Sequence, residues 1–186
     1  MTSLNRVAMA KSSRRMIRKL GPANLDVAEI SGKWGQMFNF RSYQRFLYPE
    51  WDICVGPYRD EAGAVQGFDL ILANQVWEHL DRPYAATRNV LEMLRPGGHF
   101  WLAVPFFVPF HAAPADCSRW SARGLTNLLI EAGFDPDRIK ARQWGNRNAA
   151  LRNMEEKWPP KYDPAGDPLD NDPAMPICAW AIAQKP

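Results

Sequence analysis

The sequence predicts an α/β fold built on a mostly parallel sheet, and three observations predict it. Short apolar runs alternate with helical patterns through the middle of the chain, the signature of parallel strands joined by crossover connections. One run, His99 to Val104, is apolar at nearly every position, as a strand buried on both faces must be. The clearest helical stretches carry their own start and stop signals, a proline at a first turn and a glycine after a last one. At 186 residues and 46% hydrophobic, the chain can bury one core and not two.

Taken in order, residues 4 to 20 form a helix whose imperfect apolar stripe is Leu4, Val7, Met9, Met16, Ile17 and Leu20, ended by Gly21-Pro22. Its other face is basic: Arg6, Lys11, Arg14, Arg15, Arg18 and Lys19 stand in the first twenty residues without one acid, although the net charge of the chain is only +3. A solvated face is the ordinary role for such cations, and contact with nucleic acid, phosphate, an anionic membrane or a protein partner is the alternative. Residues 1–22 are therefore set apart as a basic helix or arm, and residues 23–186 as one domain.

Leu25 to Ser31 reads as the first strand, Gly32 to Gly35 as a tight turn, and Tyr43 to Tyr48 as a second strand followed closely by Trp51 to Val55. Phe68 to Ala73 is the next strand. Asp81 is expected to cap a helix that opens at Pro83, buries Ala86, Val90, Leu91 and Leu94, and stops at Pro96-Gly97-Gly98. Ser121 caps a further helix with Leu125, Leu128, Leu129 and Ala132 inward, ending at Gly133. Between 159 and 176 lie six of the 16 prolines and four aspartates, so about 158–176 is an extended loop. Ile177 to Ala183 returns as a last, antiparallel strand at the sheet edge or next to it.

Several classes are excluded. No run approaches the roughly 18 apolar residues of a membrane span, and the N-terminus lacks a secretory apolar core, so a cytoplasmic protein is expected. Cys54, Cys117 and Cys178 show no CxxC and no close Cys/His spacing, which argues against disulfides and structural zinc. Neither G-x-G-x-x-G nor G-x-x-x-x-G-K-[ST] occurs.

In an open parallel sheet, ligands bind beyond the carboxyl ends of the strands. The loops there are Glu29–Gly35, Glu50–Tyr58, Asn74–His79 and Pro105–Trp120. Three of their sequences, E-I-S-G-K-W-G, F-D-L-I-L-A-N-Q-V-W-E-H-L and the stretch N-V-L-E-M-L-R-P-G-G-H-F-W-L-A-V-P-F, resemble the class I S-adenosylmethionine (SAM) dependent methyltransferases, in their type-11-like branch, over residues 25 to 134. The resemblance implies a Rossmann-like, seven-stranded sheet, mostly parallel with a reversed last strand. Only about 12 residues separate Val55 from Phe68, so that sheet would be shortened between strands two and four.

The resemblance also implies a cofactor, SAM, and residues to hold it. Glu29 matches the acid that organises the glycine loop, and Ser31, Gly32 and Gly35 match that loop, with Ser31 and Lys33 standing at the first two glycine positions of E-x-G-x-G-x-G. On this reading Gly32→Val blocks the ligand without unfolding the domain. Asn74, Gln75 and Val76 border the cofactor; Asp52, preferred to Glu50, takes the ribose hydroxyls; Trp51 or Tyr58 stacks on adenine or packs in the core.

The loop V-P-F-H-A-A-P-A-D-C-S-R-W-S-A-R-G-L, with the later Trp144-Gly145-Asn146-Arg147, resembles a branch of the superfamily associated with glycan or secondary-metabolite modification. A hydroxyl acceptor needs a base, for which His111 is the candidate with Asp116 orienting it, and Arg119 and Trp120 are candidate substrate contacts. The alternative is that Asp116 and Arg119 form a buried pair that pins the loop. Gln75-Val-Trp-Glu78-His79 resembles the E-x-x-E-H metal site of some quinone-type methyltransferases, but with Gln75 at the first carboxylate only two ligands remain, and no metal is expected. The function expected is methyl transfer from SAM to a small-molecule or glycan-type acceptor, at a hydroxyl or carboxyl. The rival is an inactive methyltransferase-like fold acting as a binding or regulatory subunit. Base amino-group methylation of nucleic acid is disfavoured, because N/D-P-P-[YFW] is absent after Phe68–Ala73.

Overall fold

The computed structural model describes residues 3–112 and 114–186. Six strands form one sheet: β1 (Asp26–Ile30), β2 (Ser42–Phe46), β3 (Phe68–Asn74), β4 (Leu94–Pro105), β5 (Ile139–Trp144) and β6 (Cys178–Gln184), in the spatial order β2-β1-β3-β4-β6-β5. The first four in that order run parallel, and β6 is antiparallel to both β4 and β5. The reversed last strand is where the sequence put it, next to the edge. The helices are α1 (Leu4–Arg18), α2 (Pro83–Met93), α3 (Ala122–Ala132) and the short α4 (Arg147–Arg152).

Alternation along the pleat divides the core into two layers. Val27, Leu70, Leu72, Trp101 and Ala103 face α1, which contributes Leu4, Met9 and Ile17. Ala28, Ile30, Ile71, Ala73, Phe100, Leu102 and Val104 face α2 and α3, which contribute Ala86, Val90, Leu125 and Leu129. The central strands β1, β3 and β6 and the second half of β4 are largely buried, as a sheet covered on both sides requires, whereas β2 and β5 at the edges are not. α1 lies on the sheet with its basic residues outward, and Trp180 Nε1 donates to Ser12 Oγ at 3.2 Å.

Among the described residues the sheet has six strands, not seven. Trp51–Val55 forms turns rather than a strand, and all of residues 47–67 connects β2 to β3 without a helix, held by an isolated bridge between Arg59 and Val65. No crossover helix fits between β1 and β2 either. Residues 31–41 hold only a 3-10 turn, Trp34–Met37, whose Trp34 stacks on Trp101 at 4.3 Å and meets Phe38 edge-on at 5.3 Å. Aromatic rings cover that face in place of a helix, because flat rings bury a large apolar area on a short backbone.

Pro96-Gly97-Gly98 does not end α2 as expected; it lies inside β4. Phe68 pairs with Leu94 and Leu70 with His99, so β4 carries extra residues in a bulge. Gly98 is required there, since a Cβ would stand 2.9 Å from Arg95 O and 3.1 Å from Phe68 O. Leu94 is accordingly a strand residue, and the inward positions of α2 are Ala86, Thr87, Val90 and Met93. Asp81 does not cap α2, whose N-cap is Arg82 without a side-chain bond. The other end is capped from a distance: Lys185 Nζ, just past β6, donates to Leu91 O at 2.8 Å and Leu94 O at 2.7 Å, placing a cation at the negative end of the helix.

α3 follows the sequence reading, with Ser121 Oγ accepting from Gly124 N at 3.2 Å and Gly133 left-handed at φ 111°. β5 and α4 were not foreseen. The Pro/Asp-rich segment has no helix or strand, and it is pinned by Asn146 Nδ2, which donates to Pro168 O and Asp170 O at 3.0 Å each, and by the buried Asp167.

At the N-terminal edge of the parallel strands, the Asp26 carboxylate accepts from Arg41 (2.6 and 2.8 Å), Ser42 (2.8 Å) and Arg95 (2.9 Å). The Arg41 guanidinium above all, then Ser42 and Arg95, hold its carboxyl far below the usual range. Such a group stabilises the fold above its unfolded pKa of about 4 and loses that contribution as pH falls. Asp26→Asn is therefore expected to lower the urea midpoint at pH 7, with the deficit shrinking steadily below pH ~4; a deficit independent of pH would assign the effect to packing instead.

Candidate functional site

The turns that close β1 and β3 shape one cavity. Ser31 (φ 49°) and Gln75 (φ 59°) are the non-glycine residues with positive φ among the described residues, and each directly follows a parallel strand. A left-handed non-glycine residue costs on the order of 1 kcal/mol, so surrounding bonds must hold it. Ser31 N donates to Phe46 O at 2.8 Å, and Gln75 N to Ala103 O at 2.8 Å. Both residues line a cavity of about 580 Å³ beyond the carboxyl ends of β1, β2 and β3.

Beneath its floor lies Glu29, with no solvent exposure. One carboxylate oxygen accepts from Trp34 N at 2.7 Å; the other accepts from Gly35 N at 2.6 Å and from the Tyr43 hydroxyl at 2.5 Å. The side chain points to the α1 side of the sheet, away from the cavity. Burial, then the hydrogen bond to Glu29, pushes the Tyr43 phenol up, so it stays a donor. The glycines answer to the same carboxylate. A Cβ on Gly32 would collide with Glu29 Oε1, and one on Gly35 would stand 2.7 Å from the Tyr43 ring and 2.9 Å from Glu29 Oε2. The expectation that Gly32→Val strikes the ligand is therefore corrected: a side chain there strikes Glu29.

Of the expected cofactor residues, Ser31, Asp52 and Gln75 line the cavity, together with Trp51 and Val76. Asp52 Oδ1 accepts from Cys54 N at 2.8 Å, which leaves Oδ2 for a ligand. Glu29, Gly32, Gly35 and Asn74 do not line it, and Asn74 Oδ1 is buried without a hydrogen-bond partner among the described residues. Tyr58 is a core residue, 4.5 Å from Phe46 and 5.3 Å from Trp51 between ring centroids.

The loop after β4 is held by Asp116. Its carboxylate makes a two-pronged pair with Arg119, one prong at 2.7 Å, and accepts from the His111 backbone N–H at 2.7 Å. Arg119, first by hydrogen bond, holds the Asp116 carboxyl down to about 2. The pair pins the loop. Asp116 thus orients His111 chiefly through the backbone, because the His111 Nδ1 contact to Pro109 O (3.1 Å) is shorter than that to Asp116 Oδ2 (3.6 Å). Trp120 packs against the core, and neither Arg119, Trp120 nor His111 lines the cavity.

The imidazole that does reach the cavity is His79, whose Nδ1 also lies 2.5 Å from Ala115 O. Its ring meets that of His111 edge-on at 5.2 Å. Beside them Glu78 is fully buried, and its two carboxylate oxygens have no hydrogen-bond partner among the described residues. That desolvation pushes its carboxyl up to about 8. The adjacent Glu78-His79 pair was visible in the sequence; the approach of His111, from another loop, was not.

Residues 35–102 match the family model described as a methyltransferase domain. Solved structures share the fold at low identity. A SAM-dependent methyltransferase from Archaeoglobus fulgidus has a TM-score of 0.60 at 12% identity, covering 96% of this chain and 94% of that one. The 1,6-didemethyltoxoflavin-N1-methyltransferase of Burkholderia thailandensis, with its substrate and S-adenosylhomocysteine bound, has 0.60 at 14%, covering 97% and 79%. A SAM-dependent methyltransferase from Thermotoga maritima has 0.57 at 13%, covering 98% and 99%. No curated protein sequence matches the chain. No described helix is long and apolar enough to cross a membrane.

Because Glu29 is bonded on both oxygens, disturbing it is expected to show as stability. Gly32→Ala should cost about 2–4 kcal/mol, through bonds lost to Trp34 N and Gly35 N, read as a lower urea midpoint. A variant as stable as wild type would mean the loop has room to shift.

Proposed function

We propose that this chain is a class I SAM-dependent methyltransferase that binds SAM in the cavity above β1, β2 and β3 and methylates a small-molecule or glycan-type acceptor at a hydroxyl or carboxyl oxygen. The observation that carries the reading is the convergence of both left-handed non-glycine residues, Ser31 and Gln75, on one cavity that also presents Asp52 and Trp51. Strain of this kind is kept where a ligand is to be met. The donor set fits the cofactor: Asp52 Oδ2 is free to accept from ribose hydroxyls, Trp51 offers an aromatic face to adenine, and the Ser31 and Gln75 turns offer polar groups to the methionine end.

Bound SAM supplies an electrophilic methyl group on a sulfonium. The chain's part is to align an acceptor oxygen with that methyl and to exclude water, because in-line transfer is accelerated mainly by positioning. A hydroxyl acceptor also gives up a proton, and His79, which lines the cavity with Glu78 and His111 beside it, is placed to take it. Arg82, which lines the same cavity, suits a carboxyl acceptor. Glu29, Gly32, Gly35 and Asn74 serve the site by holding its floor, and Asp116 and Arg119 by holding the His111 loop.

A second reading, a non-catalytic fold that binds a partner, draws on the exposed Phe110, Leu151 and Met154. Calorimetric titration with SAM and S-adenosylhomocysteine divides the two. Binding is expected in the wild type, and Asp52→Ala should weaken it roughly 10–100-fold, the value of hydrogen bonds to a charged acceptor. No heat from folded, ligand-free protein would overturn methyl transfer and select the second reading.

A further inference from the structure

We propose that Glu78, His79 and His111 bind a divalent transition-metal cation, Zn²⁺ or Co²⁺ in preference to Mg²⁺ or Ca²⁺. The donors come from two segments that only the fold joins: Glu78 and His79 sit in the turn Trp77–His79 after β3, and His111 in the loop after β4. Each offers one ligand atom, and the three atoms lie within 4.8 Å of one another.

Two further observations point to a cation. The first is that Glu78 is wholly buried with both oxygens lacking a hydrogen-bond partner among the described residues. A buried carboxylate without partners is costly, and a cation satisfies it directly. The second is the orientation of the rings. His79 Nδ1 lies 2.5 Å from Ala115 O and His111 Nδ1 lies 3.1 Å from Pro109 O. A ring that donates its Nδ1–H to a carbonyl presents an unprotonated Nε2, the arrangement that fixes an imidazole for metal ligation. His79 Nε2 is already 3.8 Å from Glu78 Oε1, and ligands about 2.1 Å from a tetrahedral ion lie about 3.4 Å apart.

A direct His79–Glu78 ion pair would account for one contact, but it leaves the second Glu78 oxygen and the approach of His111 unexplained. Asp116 and Arg119 then act as positioning residues, since Asp116 anchors the His111 backbone and Arg119 holds Asp116; the charges of Arg119 and Arg6 also act on Glu78, without a hydrogen bond to it. Two imidazoles and one carboxylate are a donor set of borderline softness, which favours Zn²⁺ and Co²⁺ over the hard cations. Three protein ligands leave a coordination position open, and His79 is the ligand that lines the cavity. An acceptor hydroxyl bound there would be made more acidic. This last consequence rests on the proposed function; the binding of the cation does not.

The test is calorimetry with Zn²⁺ and with Mg²⁺ on protein stripped by a chelator, together with the visible spectrum on adding Co²⁺. Wild type is expected to bind one Zn²⁺, to give no heat with Mg²⁺, and to develop visible Co²⁺ bands. Glu78→Gln, which keeps the buried shape, and His111→Ala, at a partly exposed ring, should each weaken Zn²⁺ about tenfold or more and lose the bands, with circular dichroism unchanged. No Zn²⁺ binding by the wild type, unaltered binding by both folded variants, or Mg²⁺ bound as tightly as Zn²⁺ would overturn the proposal. SAM titration of the wild type is a separate measurement, so failure of the metal site and failure of the methyltransferase reading are told apart.

Discussion

The buried carboxylate of Glu29 is the contact on which the ligand-binding end of the sheet depends. A charge removed from water must find partners, and this one finds two backbone amides and a phenol hydroxyl within 2.7 Å. Those bonds gather the residues after β1 into a closed turn and tie the turn to Tyr43 on β2, so the floor of the cavity and the pairing of two strands share one anchor. Gly32 and Gly35 follow from it, because the carboxylate occupies the space that a Cβ would need.

With the turn held this tightly, the chain dispenses with two ordinary connections. Between β1 and β2, a cluster of Trp34, Phe38, Phe40 and Tyr43 covers the sheet in place of a helix. Between β2 and β3, an irregular segment packs Trp51 and Tyr58 against Phe46 in place of a third strand and its flanking helices. This economy has a functional side. The wall of the cavity that carries Trp51 and Asp52 is loop, supported by aromatic packing more than by a hydrogen-bonded ladder, and segments of that kind open at lower free energy than the strands beneath them.

The polar groups at the other end of the cavity contrast with Glu29. Glu29 is buried and satisfied; Glu78 is equally buried and has no protein partner among the described residues. Two carboxylates near the ends of neighbouring strands thus differ, one satisfied by the protein and one not. The Asp116–Arg119 pair completes the arrangement, because it secures the loop that brings His111 to Glu78 and His79 without spending either imidazole Nε2 atom.

The sequence by itself determined the class of fold, the buried parallel strands β1, β3 and β4, the capped helix α3, the reversed last strand and the loops that border the cavity. Each rests on local pattern: apolar periodicity, a serine cap, a glycine that alone tolerates a left-handed turn. Ser31 and Gln75 were legible as cavity residues because each directly follows a strand, whereas Asp52 reaches the cavity from an irregular loop. What only the tertiary structure decided is whatever depends on packing between distant segments. β5 and α4 carry weak periodicity and are held by β6 and by the loop before it. Pro96-Gly97-Gly98 reads as a helix stop, yet it is a bulge because β3 pairs across it. Trp51–Val55 has strand-like composition and no neighbour to pair with. Glu29 turned inward, away from the cavity, and Arg119 turned to Asp116, because a buried charge goes to its nearest donor or partner, and which one is nearest is settled by the fold and not by spacing along the chain.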